Sequence, residues 1–173
     1  GGCPNSCVKP DLNDLGIVGQ MIPNYDEDLC NGCRRCFVEE ACPIGVAKVV
    51  DGILEINEDE CNNCGRCIGK CHFDAIEDGQ MGYKIYLGGM WGKRVAHGIP
   101  IRKIFTSKEE ALDVVEKAVL LYREQGKTGE RFAQTIKRIG FEDVEAQLLS
   151  DDLMDRKQEI LDAQLHLAGG ATC

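Results

Sequence analysis

At 173 residues, with 43% apolar and 28% charged side chains, the chain has the make-up of one globular domain, or of a small domain beside a core-building partner. No run approaches the roughly 18 uncharged apolar residues that a membrane span requires, and no secretory signal is present. A net charge of -9 argues against general nucleic-acid binding.

The opening stretch, GGCPNSCVKPDLND, sets Cys3 and Cys7 around a Pro-Asn-Ser tripeptide. Alone, they read as a local disulfide or two free thiols. The chain has no initiating Met, so it is expected to be a fragment, a processed product or a trimmed piece. Eleven cysteines in a secreted protein would suggest disulfides. Eight of these fall into two clumps of four, which suits metal in a reducing compartment and reads as a cytoplasmic chain.

EDLCNGCRRCFVEEACP and EDECNNCGRCIGKCHF are one pattern written twice. Cys30, Cys33 and Cys36 recur as Cys61, Cys64 and Cys67, and Arg35 recurs as Arg66. A C-x-x-C-x-x-C turn brings three thiolates to one corner of a cluster while backbone N–H groups point at its sulfurs. The fourth thiolate must come from elsewhere. Structural zinc prefers paired C-x-x-C knuckles and is the weaker reading. Over roughly residues 23–79 the pattern resembles the bacterial-type ferredoxins. That resemblance implies two [4Fe-4S] clusters, with Cys71 completing the site of Cys30, Cys33 and Cys36, and Cys42 completing that of Cys61, Cys64 and Cys67.

Two departures stand out. Five residues separate Cys36 from Cys42, longer than the usual spacing, which lengthens a connector between two sites. His72 takes the place of the proline that usually follows the last cysteine; it reads as replacing a rigid turn residue and not as a ligand. Between the repeats, KVVDGILEI predicts a hairpin with Asp51-Gly52 in the turn.

Further on, YKIYLGGMWGKRVAHG predicts a strand and a Gly-rich loop, with Trp91 open to core packing or to a cofactor edge. From Ile85 to Lys108 there is no acidic residue, while Lys93, Arg94, Arg102, Lys103 and Lys108 all fall there. This basic stripe reads as a polyanion site or as a solvated face. Thr106 or Ser107 caps a helix, with Glu109 or Glu110 as capping-box partner. Leu112, Val115, Val119 and Tyr122 follow at helical spacing as its expected core stripe, with Gly126 as the stop. Phe132, Ile136 and Ile139 mark a second apolar face ending at Gly140. Beyond Leu149 a helix-favouring stretch with Leu153, Ile160 and Leu161 is expected as a terminal arm that packs on a partner, and Cys173 as a free surface thiol.

GCPNSC, the Gly-Gly loop and the segment SKEEALDVVEKAVLLYREQGKTGERFAQTIKRIGFEDV together resemble the siroheme-containing sulfite and nitrite reductases over most of residues 1–149. A ferredoxin domain inserted between cysteine motif and Gly-Gly strand is similar to the dissimilatory and anaerobic sulfite reductase subunits. The resemblance implies that Cys3 ligates a third [4Fe-4S] cluster and that Cys7 bridges that cluster to siroheme. Asn5 matches a residue close to the siroheme, and Lys93 and Arg94 lie in the loop where they could pair its carboxylates. A docking face for an acidic partner is the equal alternative for these cations. The remaining two cluster cysteines and the sulfite-binding cations are expected on a missing N-terminal half or partner subunit, so no catalytic residue is assigned.

The expected fold class is α+β, the C-terminal part of a sulfite-reductase-type α/β domain with an inserted ferredoxin-like domain. The expected divisions are 1–22 and 80–149 for the reductase domain, 23–79 for the two-cluster domain and 150–173 for the arm. Two functions follow. One is a fragment of an oxidoreductase that relays electrons from a donor protein to a siroheme centre reducing sulfite to sulfide, or nitrite, the isolated chain being inactive. The other is an electron-transfer protein with no catalysis of its own.

Overall fold

The structure, a computed structural model, describes residues 1–5 and 7–164; Cys173 lies outside them. The chain forms two compact units. One comprises Cys7–Val18 and the chain from Tyr83 onward, with Gly1; the other comprises Gly19–Gly82 with the opening residues from Gly2. Among the described residues, β1 (Leu15–Pro23), β2 (Ala47–Val50), β3 (Ile53–Ile56), β4 (Gly79–Leu87) and β5 (Ile99–Pro100) form a sheet of order β1-β4-β5 and a separate β2-β3 hairpin. Among the described residues no helix is long and apolar enough to cross a membrane.

In the first unit, Ile85 and Leu87 of β4 alternate inward with period two and meet a layer of helices. Its centre is α2 (Lys108–Gln125), against which α3 (Phe132–Ile139), α4 (Phe141–Leu149), α5 (Asp152–Asp155) and α6 (Lys157–Asp162) pack. The Ser107 hydroxyl caps α2 by accepting from the Glu110 N–H at 3.0 Å, and the Gly126 N–H closes the last turn on the Tyr122 carbonyl at 2.9 Å. Gly140, at φ 108°, makes the sharp corner between α3 and α4.

The face that α2 buries differs from the expected stripe. Ala111, Val114, Ala118 and Leu121 point inward at helical spacing, while Leu112 and Val119 are 52% and 62% exposed and Tyr122 is also on the outside. Apolar residues surround this helix, so their spacing alone does not choose a face. The inward side is marked by small side chains and by Lys117, whose nearly buried ammonium sits 2.6 Å from Asp113 and 3.2 Å from Asp151. Burial pushes that ammonium towards neutrality, but the two carboxylates outweigh it and hold its pKa above the ordinary value.

Over the described residues 150–164 the chain packs into the first unit: Leu153 and Ile160 are buried in the core formed with α2 and α4, while Leu161 faces solvent. Arg123 secures it by donating to the carbonyls of Ile160 (2.9 Å) and Leu161 (2.6 Å).

Glu130 knots the loop before α3, accepting from Arg138 at 2.9 and 3.0 Å, from the Thr135 hydroxyl at 3.0 Å and from the Lys127 N–H at 3.2 Å. Arg138 is the largest cause of a carboxyl pKa lowered from 4.5 to about 2. A carboxylate depressed on folding stabilises fully above its unfolded pKa and loses that contribution as pH falls towards its folded one. Helix circular dichroism during acid titration should therefore show this loss between about pH 4.5 and 2. Glu130→Gln is expected to be less stable at neutral pH and flatter across that window.

The second unit has a small core of Val38, Ala47, Leu54 and Ile76, against which Tyr25, Ile56, Ile68 and five of the cysteines pack. Its β2-β3 hairpin pairs Val50 with Ile53 and turns through Asp51 (φ 50°) and Gly52 (φ 84°), the two left-handed residues that a two-residue hairpin turn requires.

Candidate iron-sulfur centre

Backbone pairing crosses between the two repeats. Ahead of the first triplet, the Asn24 and Asp26 N–H groups donate to the carbonyls of Asp78 (3.1 Å) and Ala75 (2.9 Å), just past Cys71. Ahead of the second triplet, the Asn57 N–H donates to the Val46 carbonyl at 3.0 Å, and β3 pairs with β2, just past Cys42. Each triplet is thus entered by a segment tied to the exit of the other repeat's last cysteine.

Side chains follow the same pattern. Cys42, Cys61, Cys64 and Cys67 line one pocket, closed by apolar Pro43, Val46, Ala47 and Ile56. Burial pushes the Cys67 thiol up; its own backbone N–H opposes this, and the charges of Cys61, Cys64 and Cys42 add to the rise. Cys42 shifts the other way. Burial raises it, but the N–H groups of Ala47, Ile44, Val46 and Gly45 together hold it below the ordinary thiol value.

At the other end, Cys30, Cys36 and Cys71 pack on the same small core. The Leu54 N–H donates to the Cys30 sulfur at 3.4 Å. Burial raises the Cys30 thiol, and the N–H groups of Gly32 and Leu54 with the Tyr25 side chain more than reverse that. Phe37 and His72, the residues after Cys36 and Cys71, meet edge to face with ring centroids 5.0 Å apart. Gly32, at φ 59°, lies so close to the Gly52 carbonyl that a Cβ there would sit 2.1 Å from its oxygen. The first triplet therefore rests directly on the hairpin turn.

Among the described residues no three Cys, His, Asp or Glu side chains gather as they would around a single ion. A cubane holds its thiolates apart around a body of iron and sulfide, so its ligands line a space instead of meeting at a point. The donor set fits such a group: soft thiolates, N–H donors aimed at sulfur, and a largely apolar lining.

Cys3 and Asn5 fall in the second unit and Cys7 in the first; all three are exposed, and neither thiol is in a disulfide. Past Cys7 the chain is pinned inside the first unit. The Gly98 and Gly88 N–H groups donate to the Asp11 (2.6 Å) and Asp14 (2.8 Å) carbonyls, and His97 Nδ1 lies 2.7 Å from Asp11 Oδ2. Gly89 allows this approach, since a Cβ there would lie 2.2 Å from the Asp11 carbonyl oxygen.

Beyond Gly89 the loop is a small tongue, closed by mutual Met90–Ala96 backbone bonds of 2.8 and 2.9 Å. Lys93 and Arg94 stand exposed on it, without an ion-pair partner among the described residues. Trp91 is 67% exposed on the same tongue and is no core residue. Two further cations of the basic stripe are engaged: Arg102 pairs with Glu142 and Glu145, and Lys103 with Glu110, so these two are neutralised within the unit. Tyr25 and the N–H donors of Gly32 and Leu54 escape a reading by cysteine spacing; the only sequence signal for Tyr25 is a hydroxyl on an apolar position ahead of the triplet.

Known proteins resemble this chain in sequence and fold. Over 142 residues the chain is 34% identical to a coenzyme F420-dependent sulfite reductase of Methanocaldococcus jannaschii, covering 81% of this chain and 22% of that protein. It is 44% identical over 41 residues to one subunit of the anaerobic sulfite reductase of Salmonella typhimurium, covering 24% of this chain and 12% of that one. The chain thus spans less than a quarter of the length of either relative. In fold it is similar to dissimilatory sulfite reductase I, with a TM-score of 0.56 at 23% identity over 84% of this chain and 40% of that one. The sequence model of the nitrite and sulphite reductase 4Fe-4S domain matches residues 1–157, most of the chain, and the chain belongs to that family.

Proposed function

We propose that this chain is the electron-carrying part of an iron–sulfur sulfite reductase. In this reading Cys30, Cys33, Cys36 and Cys71 hold one [4Fe-4S] cluster, and Cys42, Cys61, Cys64 and Cys67 a second. Cys3 and Cys7 supply two of the four thiolates of a third, coupled to siroheme, with the other two on sequence outside this chain. When bound, these groups supply the one-electron chemistry by which a donor protein's electrons reduce sulfite to sulfide, or nitrite to ammonia. The chain's own residues fix the clusters in place, direct N–H groups at their sulfurs and exclude water from the Cys42 side. Asn5 would donate a hydrogen bond to siroheme, and Lys93 and Arg94 would pair with its carboxylates.

The observation that carries this reading is the grouping of Cys42 with the second triplet around one apolar pocket. A second reading, an electron-transfer protein without catalysis of its own, is favoured for the isolated chain because it spans 22% of its sulfite reductase relative. The two separate by experiment. By itself the chain should hold about eight irons and show no haem absorption. The complete gene product should show siroheme absorption and consume sulfite with reduced methyl viologen, and Cys7→Ser should remove siroheme–cubane coupling alone. Siroheme on the isolated chain would overturn the division of the cysteines. A complete product with iron–sulfur absorption alone would leave only the electron carrier.

A further inference from the structure

The two repeats are not equivalent five residues before their first cysteine. Ile56 stands ahead of Cys61, and Tyr25 stands ahead of Cys30. Both side chains pack on the same core of Val38, Ala47, Leu54 and Ile76. The difference is a hydroxyl. Tyr25 Oη is buried, without a hydrogen bond of normal geometry among the described residues, and the polar group it faces is the sulfur of Cys30.

A buried phenol beside a thiolate has one role open to it. A phenol carries an O–H and a thiolate carries no proton, so between the two the hydroxyl is the donor. Its position is fixed, because the Asp26 N–H next to it is bonded to the Ala75 carbonyl at 2.9 Å. Cys30 also takes the Leu54 N–H at 3.4 Å, so the sulfur is approached by a backbone donor and by the phenol.

We infer that Tyr25 donates its hydroxyl proton in a hydrogen bond to the Cys30 sulfur and thereby raises the reduction potential of the cluster bound there, leaving the cluster beside Ile56 without this contribution. The direction follows from charge: reduction adds an electron to the cluster and its ligands, and a donor to sulfur stabilises the more negative state. Tyr25 is a positioning and tuning residue, and the inference rests on the two-cluster reading above.

The test uses the full chain, loaded anaerobically with iron and sulfide and titrated with dithionite while electron paramagnetic resonance is recorded. Two one-electron waves are expected, and Cys71→Ala, which removes the Cys30 cluster, identifies its wave. Tyr25→Phe should load normally and shift that wave alone to more negative potential, by about tenfold in the equilibrium constant, or about 59 mV for one electron. Site-specific 3-fluorotyrosine at position 25 keeps the shape and makes the hydroxyl a stronger donor. It should move the same wave the other way, and it decides the matter if Tyr25→Phe fails to fold. Normal loading with the Cys30 wave unmoved, or a shift of the other wave only, would overturn the inference. A wild-type chain that takes up only one cluster would overturn the two-cluster reading instead.

Discussion

On the two-cluster proposal, Cys42→Ala is expected to lower the iron content of the isolated chain from about eight to about four, because its cluster would lose one of four anchors while the other is untouched. Cys71→Ala gives the same count by losing the opposite cluster. Single variants do not reveal the partnership, but pairs do, since ligands of one cluster are strongly non-additive. Cys42→Ala with Cys61→Ala should retain about four irons, no worse than either alone, whereas Cys42→Ala with Cys30→Ala should retain almost none. Were Cys42 a ligand alongside Cys30, these two outcomes would be exchanged. Iron and acid-labile sulfide analysis on anaerobically purified protein makes the distinction.

Leu153→Ala is expected to destabilise the first unit by about 2–5 kcal/mol, the cost of deleting most of a fully buried leucine and leaving a cavity. The side chain has 0% exposure and sits in the core that includes Leu121, Val144 and Leu148. Leu161→Ala, on the same C-terminal stretch but 43% exposed, should cost no more than about 0.5 kcal/mol. Denaturant unfolding followed by circular dichroism separates them by midpoint. Equal and small effects would mean that the stretch after Leu149 does not belong to this core.

The parts of the fold that the sequence made legible are those governed by neighbours in the chain. Asp51-Gly52 between β-branched runs is a hairpin because two left-handed residues close such a turn. Ser107 and Gly126 bound α2 because capping needs only residues three or four positions away. Facing was harder to read. Leu112, Val119 and Tyr122 look like a core stripe, yet α2 turns Ala111, Ala118 and a paired Lys117 inward. A lysine is read as exposed until Asp113 and Asp151 are seen beside it. Arg102 and Lys103 misled in the same way, since their glutamate partners lie on helices far along the chain or past the next loop.

For the cysteines, the triplets are visible in the spacing itself. Their pairing across the repeats comes from a ferredoxin resemblance, to which the bonds from residues 24–26 to 75–78 and from 57 to 46 add a physical reason. Tyr25 shows the limit of spacing rules. What makes it notable is where its oxygen lies, a property of packing that no pattern of letters contains.

The crossed backbone ties also bear on how such a protein matures as it leaves the ribosome. The segment ahead of Cys30 finds its hydrogen-bond partners only once Ala75 and Asp78 have emerged. If Cys71 completes the site of Cys30, Cys33 and Cys36, those three thiols wait, open to oxygen and stray metals, until Cys71 is synthesised. The triplet of Cys61, Cys64 and Cys67 would meet a finished hairpin and close first, so the order of birth and the order of filling would run in opposite directions.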